Sequence, residues 1–136
     1  MTDEMPTPDG ELALQTVAMP ADANANGDIF GGWLVSQMDL AASVTAHQLA
    51  KGRVATVAID AMAFIRPVAI GSTVSCYTNV LNIGRSSMEI SVEVWARHMT
   101  DHEQRKVTEG KFTFVAIDHN RRTRPVPRSE SSQERH

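Results

Sequence analysis

From Trp33 to Lys51 the chain contains neither glycine nor proline. A run of that length commits to one helix of about five turns, from about Gly32 to Lys51. Gly31-Gly32 precede it, and Gly52 just past its end reads as a C-terminal stop. Leu34, Met38, Ala41, Ala42 and Leu49 mark a strong apolar face, yet Trp33, Leu40 and Val44 lie well round from it. Ser36, Ser43 and His47 form the polar strip away from that face. A helix apolar nearly all round is a buried one. Between Ile29 and Ala50 only Asp39 carries a formal charge, so the carboxylate needs an explanation.

On both sides of this segment the periodicity changes from 3.6 towards 2. Glu11–Met19 alternates at Leu12, Leu14 and Thr16 and reads as a strand ended by Pro20. Val54–Ile65 alternates at Val57, Ile59 and Ala61 before Arg66-Pro67. Thr73–Ile83 follows, with Gly84-Arg85 as a hairpin turn. Ser87–Met99 places Met88, Ile90, Val92 and Val94 on one side and Glu89, Ser91, Glu93 and Trp95 on the other. A charged connection, Thr100–Lys106, leads to a last strand over Val107–Asp118. Consecutive strands with short turns favour antiparallel pairing. The expected fold is α+β, a strand, a central helix and four more strands in one sheet. One sheet covers one side of such a helix, so a second subunit is expected against the rest, a dimer at least.

Bulk properties narrow the function. The 136 residues make one domain, over residues 11–118, with a flexible lead-in over 1–10 and a basic, mostly flexible tail over 119–136. A net charge of -3 gives no case for nucleic acid or an anionic membrane surface as partner. Cys76 is alone, which excludes an internal disulfide and a Cys metal site. No signal peptide is evident in MTDEMPTPDGE, and the helix is too polar to span a membrane, so the expected compartment is cytoplasmic. The 5 histidines, at 47, 98, 102, 119 and 136, lack metal-ligand spacing, and no metal is expected.

Asp39 has two readings. It is an ordinary solvent-facing helical carboxylate, or it lines a cleft where desolvation suits it to general-base work. On a helical wheel it lies between Ala46 and Ala50, near Val35 and Ser43, with no Lys or Arg on that side. Gly31-Gly32 are likewise either a tight turn or a Cβ-free helix tip whose free N–H groups stabilise an oxyanion. Asp39 lies about two turns, roughly 10 Å, beyond Gly32. Asp28 competes as a base, although Asp in such a loop more often caps a turn. Asp60, on a strand, is a weaker candidate. No Gly-x-Ser-x-Gly elbow and no Walker or dinucleotide fingerprint occurs.

The run LALQTVAMPADANANGDIFGGWLVSQMDLAA, with GRVATVAIDAMAFIRPVAIGSTVSCY, GRSSMEISVEVW and FTFVAID, resembles the hotdog-fold acyl-CoA thioesterases, specifically the YciA-like acyl-CoA hydrolases. The likeness covers about residues 11 to 128. It implies a hotdog fold, in which a sheet wraps a long helix, and dimers with shared active sites, commonly assembled as a trimer of dimers. It implies hydrolysis of acyl-CoA to free CoA and a carboxylic acid, with no cofactor beyond the CoA of the substrate. Asp39 falls at the family's catalytic carboxylate, Gly32 at its oxyanion donor, and Asn24 at a helper reaching across the dimer. Phe30 stands where many relatives carry a histidine. For CoA itself, Gly84, Arg85, Ser86 and Ser87 are the first expected contacts and Arg66 the next, while Arg121, Arg122 and Arg124 read equally as a solvated tail. Trp33, Met38, Met62 and Phe64 either line an acyl tunnel or are simple core. A non-catalytic acyl-CoA sensor is the alternative, but it should lack the helix carboxylate. A dehydratase would want a site histidine, which Phe30 does not supply.

Overall fold

The computed structural model describes residues 6–128. Its one α-helix is α1 (Gly31–Ala50), and its strands are β1 (Glu11–Val17), β2 (Val54–Phe64), β3 (Thr73–Ile83), β4 (Ser87–Arg97) and β5 (Arg105–Ala116). Every neighbouring pair is antiparallel in a single sheet of order β1-β3-β4-β5-β2. The expected α+β architecture is therefore the observed one. The helix is laid across the sheet and touches all five strands.

The core forms where the helix face meets one face of the sheet. Met88, Ile90, Val92 and Val94 of β4 are fully buried, as the strict alternation there requires. Phe112, Phe114 and Ala116 of β5 and Val74 and Cys76 of β3 continue the same layer. Opposite them the helix buries Leu34, Met38, Ala41, Ala42, Ala46 and Ala50. Four of those six are alanines, so the helix backbone sits close to the sheet and the large side chains come from the strands. Burying a Phe or Ile of this layer contributes about 1.5–3 kcal/mol.

Both helix ends differ in detail from the sequence reading. The first turn starts at Gly31, and Phe30 caps it without a side-chain hydrogen bond. At the other end Lys51, not Gly52, adopts the left-handed conformation (φ 54°), and its N–H bonds the His47 carbonyl. Gly52 has a different reason to lack a side chain: a Cβ there would meet the Arg124 guanidinium at 2.7 Å.

Strand β2 breaks the alternation expected of it. Its pairing with β5 shifts between Thr56 and Ala58 and again between Asp60 and Ala63. Ala61 holds a positive φ of 53° at the second irregularity. Directly paired residues share a face. Thr56 pairs with Phe114, Ile59 with Phe112 and Phe64 with Thr108, so these β2 residues face the helix. Val57 and Ala61, expected to share a side with Ile59, are absorbed by the bulges.

The tail after β5 was expected to be mostly unpacked, and through Arg128 it is not. Ile117 bridges to Thr123, Arg124 donates to the Ile117 carbonyl, and Val126 is buried with its N–H on the Arg85 carbonyl at 2.7 Å. Arg128 ends the described chain by donating to the Gly84 carbonyl at 2.9 Å. The remainder of the tail, and residues 1–5 of the lead-in, lie outside the described residues.

A large apolar surface stays open. Leu40 and Val44 on the helix and Val57, Ile59 and Phe64 on β2 are each more than 40% exposed. They flank the unpaired edge of β2, an arrangement that natural sheets cover.

Candidate active site

Asp39 sits in the third turn of α1 and is half-buried, although the alanines nearest it on the wheel, Ala46 and Ala50, are fully buried. Its carboxylate is not solvated at random. Thr56 Oγ1 of β2 donates to Asp39 Oδ1 at 2.7 Å. Thr56 faces the helix because it pairs with the core residue Phe114. One oxygen of Asp39 is thereby fixed and the other left for a substrate or a water. Sequence reasoning missed Thr56. The available signal was a hydroxyl on the helix-facing row of a strand otherwise carrying Val, Ile, Met and Phe.

The competing carboxylates are accounted for by structure. Asp60 pairs with Lys111, on the sheet face away from the helix, and makes an ion pair with it at 3.9 Å. Asp28 is exposed in the loop before α1, where its backbone bridges to Ala69.

At the helix tip, the Phe30 carbonyl accepts the N–H groups of both Trp33 and Leu34, at 3.1 and 3.3 Å. The N–H groups of Gly31 and Gly32 precede these first helical bonds and form no backbone hydrogen bond among the described residues. They are the donors expected of a helix N-terminus. The two glycines differ in surroundings. A Cβ on Gly31 would meet the Phe64 ring at 3.3 Å, whereas one on Gly32 would meet nothing within 4 Å. Seven residues at 100° each bring position 39 to within about 20° of position 32. Gly32 and Asp39 therefore share one stripe of the helix.

Asn24 lies in the loop before the helix and organises it. Its Oδ1 accepts from the N–H groups of Asn26 and Asp28, at 2.9 and 3.1 Å. The acceptor end is thus held inside the turn, and the amide nitrogen has no partner among the described residues. No hydrogen bond joins Asn24 to Asp39 among the described residues.

The expected CoA contacts fall in two places. Arg66 donates to the Lys106 carbonyl and lines a cavity of about 330 Å³ with Gly31, Leu34 and Phe64. It also lines a groove of about 530 Å³ on the other side, with Trp95 and Arg105. Gly84, Arg85, Ser86 and Ser87 make the β3–β4 hairpin, closed by Gly84 N–H to the Ser87 carbonyl at 2.8 Å. Ser87 is level with Val115 and hence with Ala55, at the opposite end of β2 from Phe64. Seven residues of β5, from Val115 to Thr108, separate the two levels, roughly 23 Å at 3.3 Å per residue. One chain does not bring Arg66 and Arg85 to a common ligand.

Among the described residues no cluster of three or more His, Cys, Asp or Glu could hold a metal ion. No helix among them is long and apolar enough to cross a membrane.

Residues 26–101 match the thioesterase superfamily. The acyl-CoA thioester hydrolase YciA of Salmonella typhimurium is 48% identical over 130 residues, covering 93% of this chain and 98% of that protein. The fold matches the crystal structure of HI0827, a hexameric broad specificity acyl-coenzyme A thioesterase, with a TM-score of 0.87, 47% identity and coverage of 96% and 90%. It also matches the hexameric thioesterase y2039 from Yersinia pestis, with a TM-score of 0.86, 48% identity and coverage of 90% and 100%. The chain therefore belongs to the thioesterase superfamily, as a hotdog-fold protein of the YciA-like acyl-CoA hydrolase group.

Proposed function

We propose that the protein hydrolyses acyl-CoA thioesters to free CoA and a carboxylic acid, with Asp39 as the reacting carboxylate. The observation that carries this reading is the stripe on α1: two uncommitted N–H donors at Gly31-Gly32, and two turns later a carboxylate held by Thr56. A thioester carbonyl placed at the tip gains hydrogen bonds as its oxygen becomes negative. Asp39 then either takes a proton from an attacking water or attacks the carbonyl carbon itself, giving an acyl anhydride that water opens. In both routes the sulfur leaves as CoA thiolate and is protonated. Single turnover in ¹⁸O-labelled water separates them, since only the anhydride route can place the label in Asp39.

The half-site of one chain is completed by a second copy. Two β2 edges paired antiparallel about a twofold axis would cover Leu40, Val44, Val57 and Ile59. That pairing sets the Ala55 end of one chain beside the Phe64 end of the other. The Gly84–Ser87 hairpin of the second copy then approaches the helix tip of the first, where Arg66 stands. The same pairing gives Asn24 a carboxylate to serve across the interface. Two of the similar solved structures are described as hexameric thioesterases, and a hexamer built as three such dimers is the assembly proposed here.

The test is a panel of acyl-CoA substrates with release of CoA read by a thiol reagent, on the wild type and on Asp39→Asn. Hydrolysis by the wild type and its loss in a folded variant is the expected result. Equal rates in the two proteins would remove Asp39 from the mechanism.

A further inference from the structure

Pairing through β2 leaves the far edge of the sheet unaccounted for. β1 is that edge, four strand spacings and roughly 19 Å from β2. At one corner of it three segments are laced together. Val17 pairs with Thr73, Ala18 N–H donates to the Ser72 carbonyl at 3.0 Å, and Gly71 N–H donates to the Ala18 carbonyl at 2.8 Å. Thr73 pairs in turn with Arg97, and a Cβ on Gly71 would meet the Met99 methyl at 3.4 Å. The corner exposes Val17 (47%), Met19 (54%), Ile70 (37%) and Met99 (76%). Apolar side chains scattered singly over a surface are ordinary, whereas four gathered from three segments mark a contact surface.

Charges of both signs border this corner. Arg97 ends β4, and Asp101 and Glu103 follow on the connection to β5. All three are exposed and none makes an ion pair among the described residues, whereas Lys106 and Lys111 are both paired. In a contact about a twofold axis, any residue that meets a second one on the partner copy is met in return by the same pair reversed. An apolar centre rimmed by one cation and two carboxylates meets that condition with its own charges. The other exposed apolar group on this edge, Leu12, Val80 and Leu81, does not. Glu11 adjoins it, Asp9 is held beside it by Asn79, and neither β1 nor β3 carries a cation.

We propose that this corner binds the same corner of another copy about a twofold axis, and so joins the dimers into the hexamer. This rests on the hexamer proposed above and adds the surface that builds it. A chain with two different self-complementary faces, one at each edge of its sheet, alternates them around a ring, and three dimers close it with no face left open. The apolar side chains supply the burial. The rim fixes the register, since exposed ion pairs contribute little to affinity. The corner is the smaller of the two faces, so it holds dimers that present it at both ends rather than free single chains.

The experiment is sedimentation velocity on the full-length wild type, Met99→Glu and Ile70→Glu, with a thermal melt of each. A hexameric wild type is expected, with a threefold drop in mass for Met99→Glu to a dimer that stays folded. Ile70→Glu lies on a different segment and gives the same readout if Met99→Glu does not fold. A folded variant of either kind that remains hexameric overturns the inference and leaves the hexamer standing. Dissociation of a folded variant to single chains also overturns it, because the corner would then belong to the β2 dimer. A wild type no larger than a dimer overturns the hexamer, and the inference with it.

Discussion

Thr56 Oγ1 donates to Asp39 Oδ1 at 2.7 Å, linking the edge strand to the middle of the central helix across a separation of 17 residues. The bond takes one carboxylate oxygen and so orients the other. If Asp39 reacts, Thr56 positions it. Asp39→Asn keeps the shape and removes the charge, and kcat should fall by roughly 10²–10⁴ with the melting curve preserved. Thr56→Val keeps the volume and removes the donor. A hydrogen bond to a charged group is worth about 1.5–3 kcal/mol, or roughly 10- to 100-fold in kcat if it acts only as the reaction proceeds. KM should hold, and a variant in which KM alone changes would assign Thr56 to binding.

The two glycines at the helix tip separate structural from functional demands. Gly32→Ala meets nothing within 4 Å and gains helix propensity of up to about 1 kcal/mol. It should melt no lower than the wild type yet lose activity if the thioester carbonyl docks at the helix tip as proposed, since its methyl would project there. Gly31→Ala meets the Phe64 ring at 3.3 Å and should lose stability. Adding Phe64→Ala should restore the melting temperature. Differential scanning fluorimetry beside a hydrolysis assay reads both effects.

What the sequence disclosed and withheld follows one physical division. The helix, its carboxylate and the alternation of β4 are local patterns, and they were legible because period and charge are written in consecutive residues. The path of β2 was not, because its bulges exist only in pairing with β5, and nothing at Val57 or Ala61 announces a register shift. Thr56 was missed for the same reason, as its partner is tertiary. Asn24 could be placed at the site only by family resemblance. Its own contacts are those of a turn, since its acceptor oxygen is already taken by the N–H groups of Asn26 and Asp28. The tail misled through composition: Arg, Ser and Pro suggested a solvated segment, while Val126 fastens it to the Arg85 carbonyl of the hairpin and Arg124 to the Ala116 and Ile117 carbonyls at the end of β5.

The open edge of β2 predicts how assembly and activity are coupled. Val44→Glu places a charge on the exposed apolar helix face, and Val57→Lys places one beside the edge. Each should shift the protein towards monomer in analytical ultracentrifugation while leaving the far-ultraviolet dichroism of the fold. If the second copy supplies Asn24 and the Arg85 hairpin, the monomer should lose most of its activity. A monomer as active as the assembly would confine the site to one chain.

Cys76 gives a control on every thiol-based measurement. Its side chain is fully buried on β3 under the helix, and burial pushes the thiol up to about 12. The thiolate is the reactive form, so the native protein should give no stoichiometric reaction with a thiol reagent near pH 8, and the CoA released should be read without background. Unfolded protein should react with one equivalent, since the chain holds a single cysteine. The same shift has a consequence for stability. The neutral thiol is favoured in the folded state, so its contribution is complete below the ordinary thiol range near 8.5 and is lost as pH rises from there towards 12. Denaturant midpoints should therefore fall over that alkaline window in the wild type and fall less in Cys76→Ala. Rapid labelling of Cys76 in the native state would place the residue outside the core and remove this expectation.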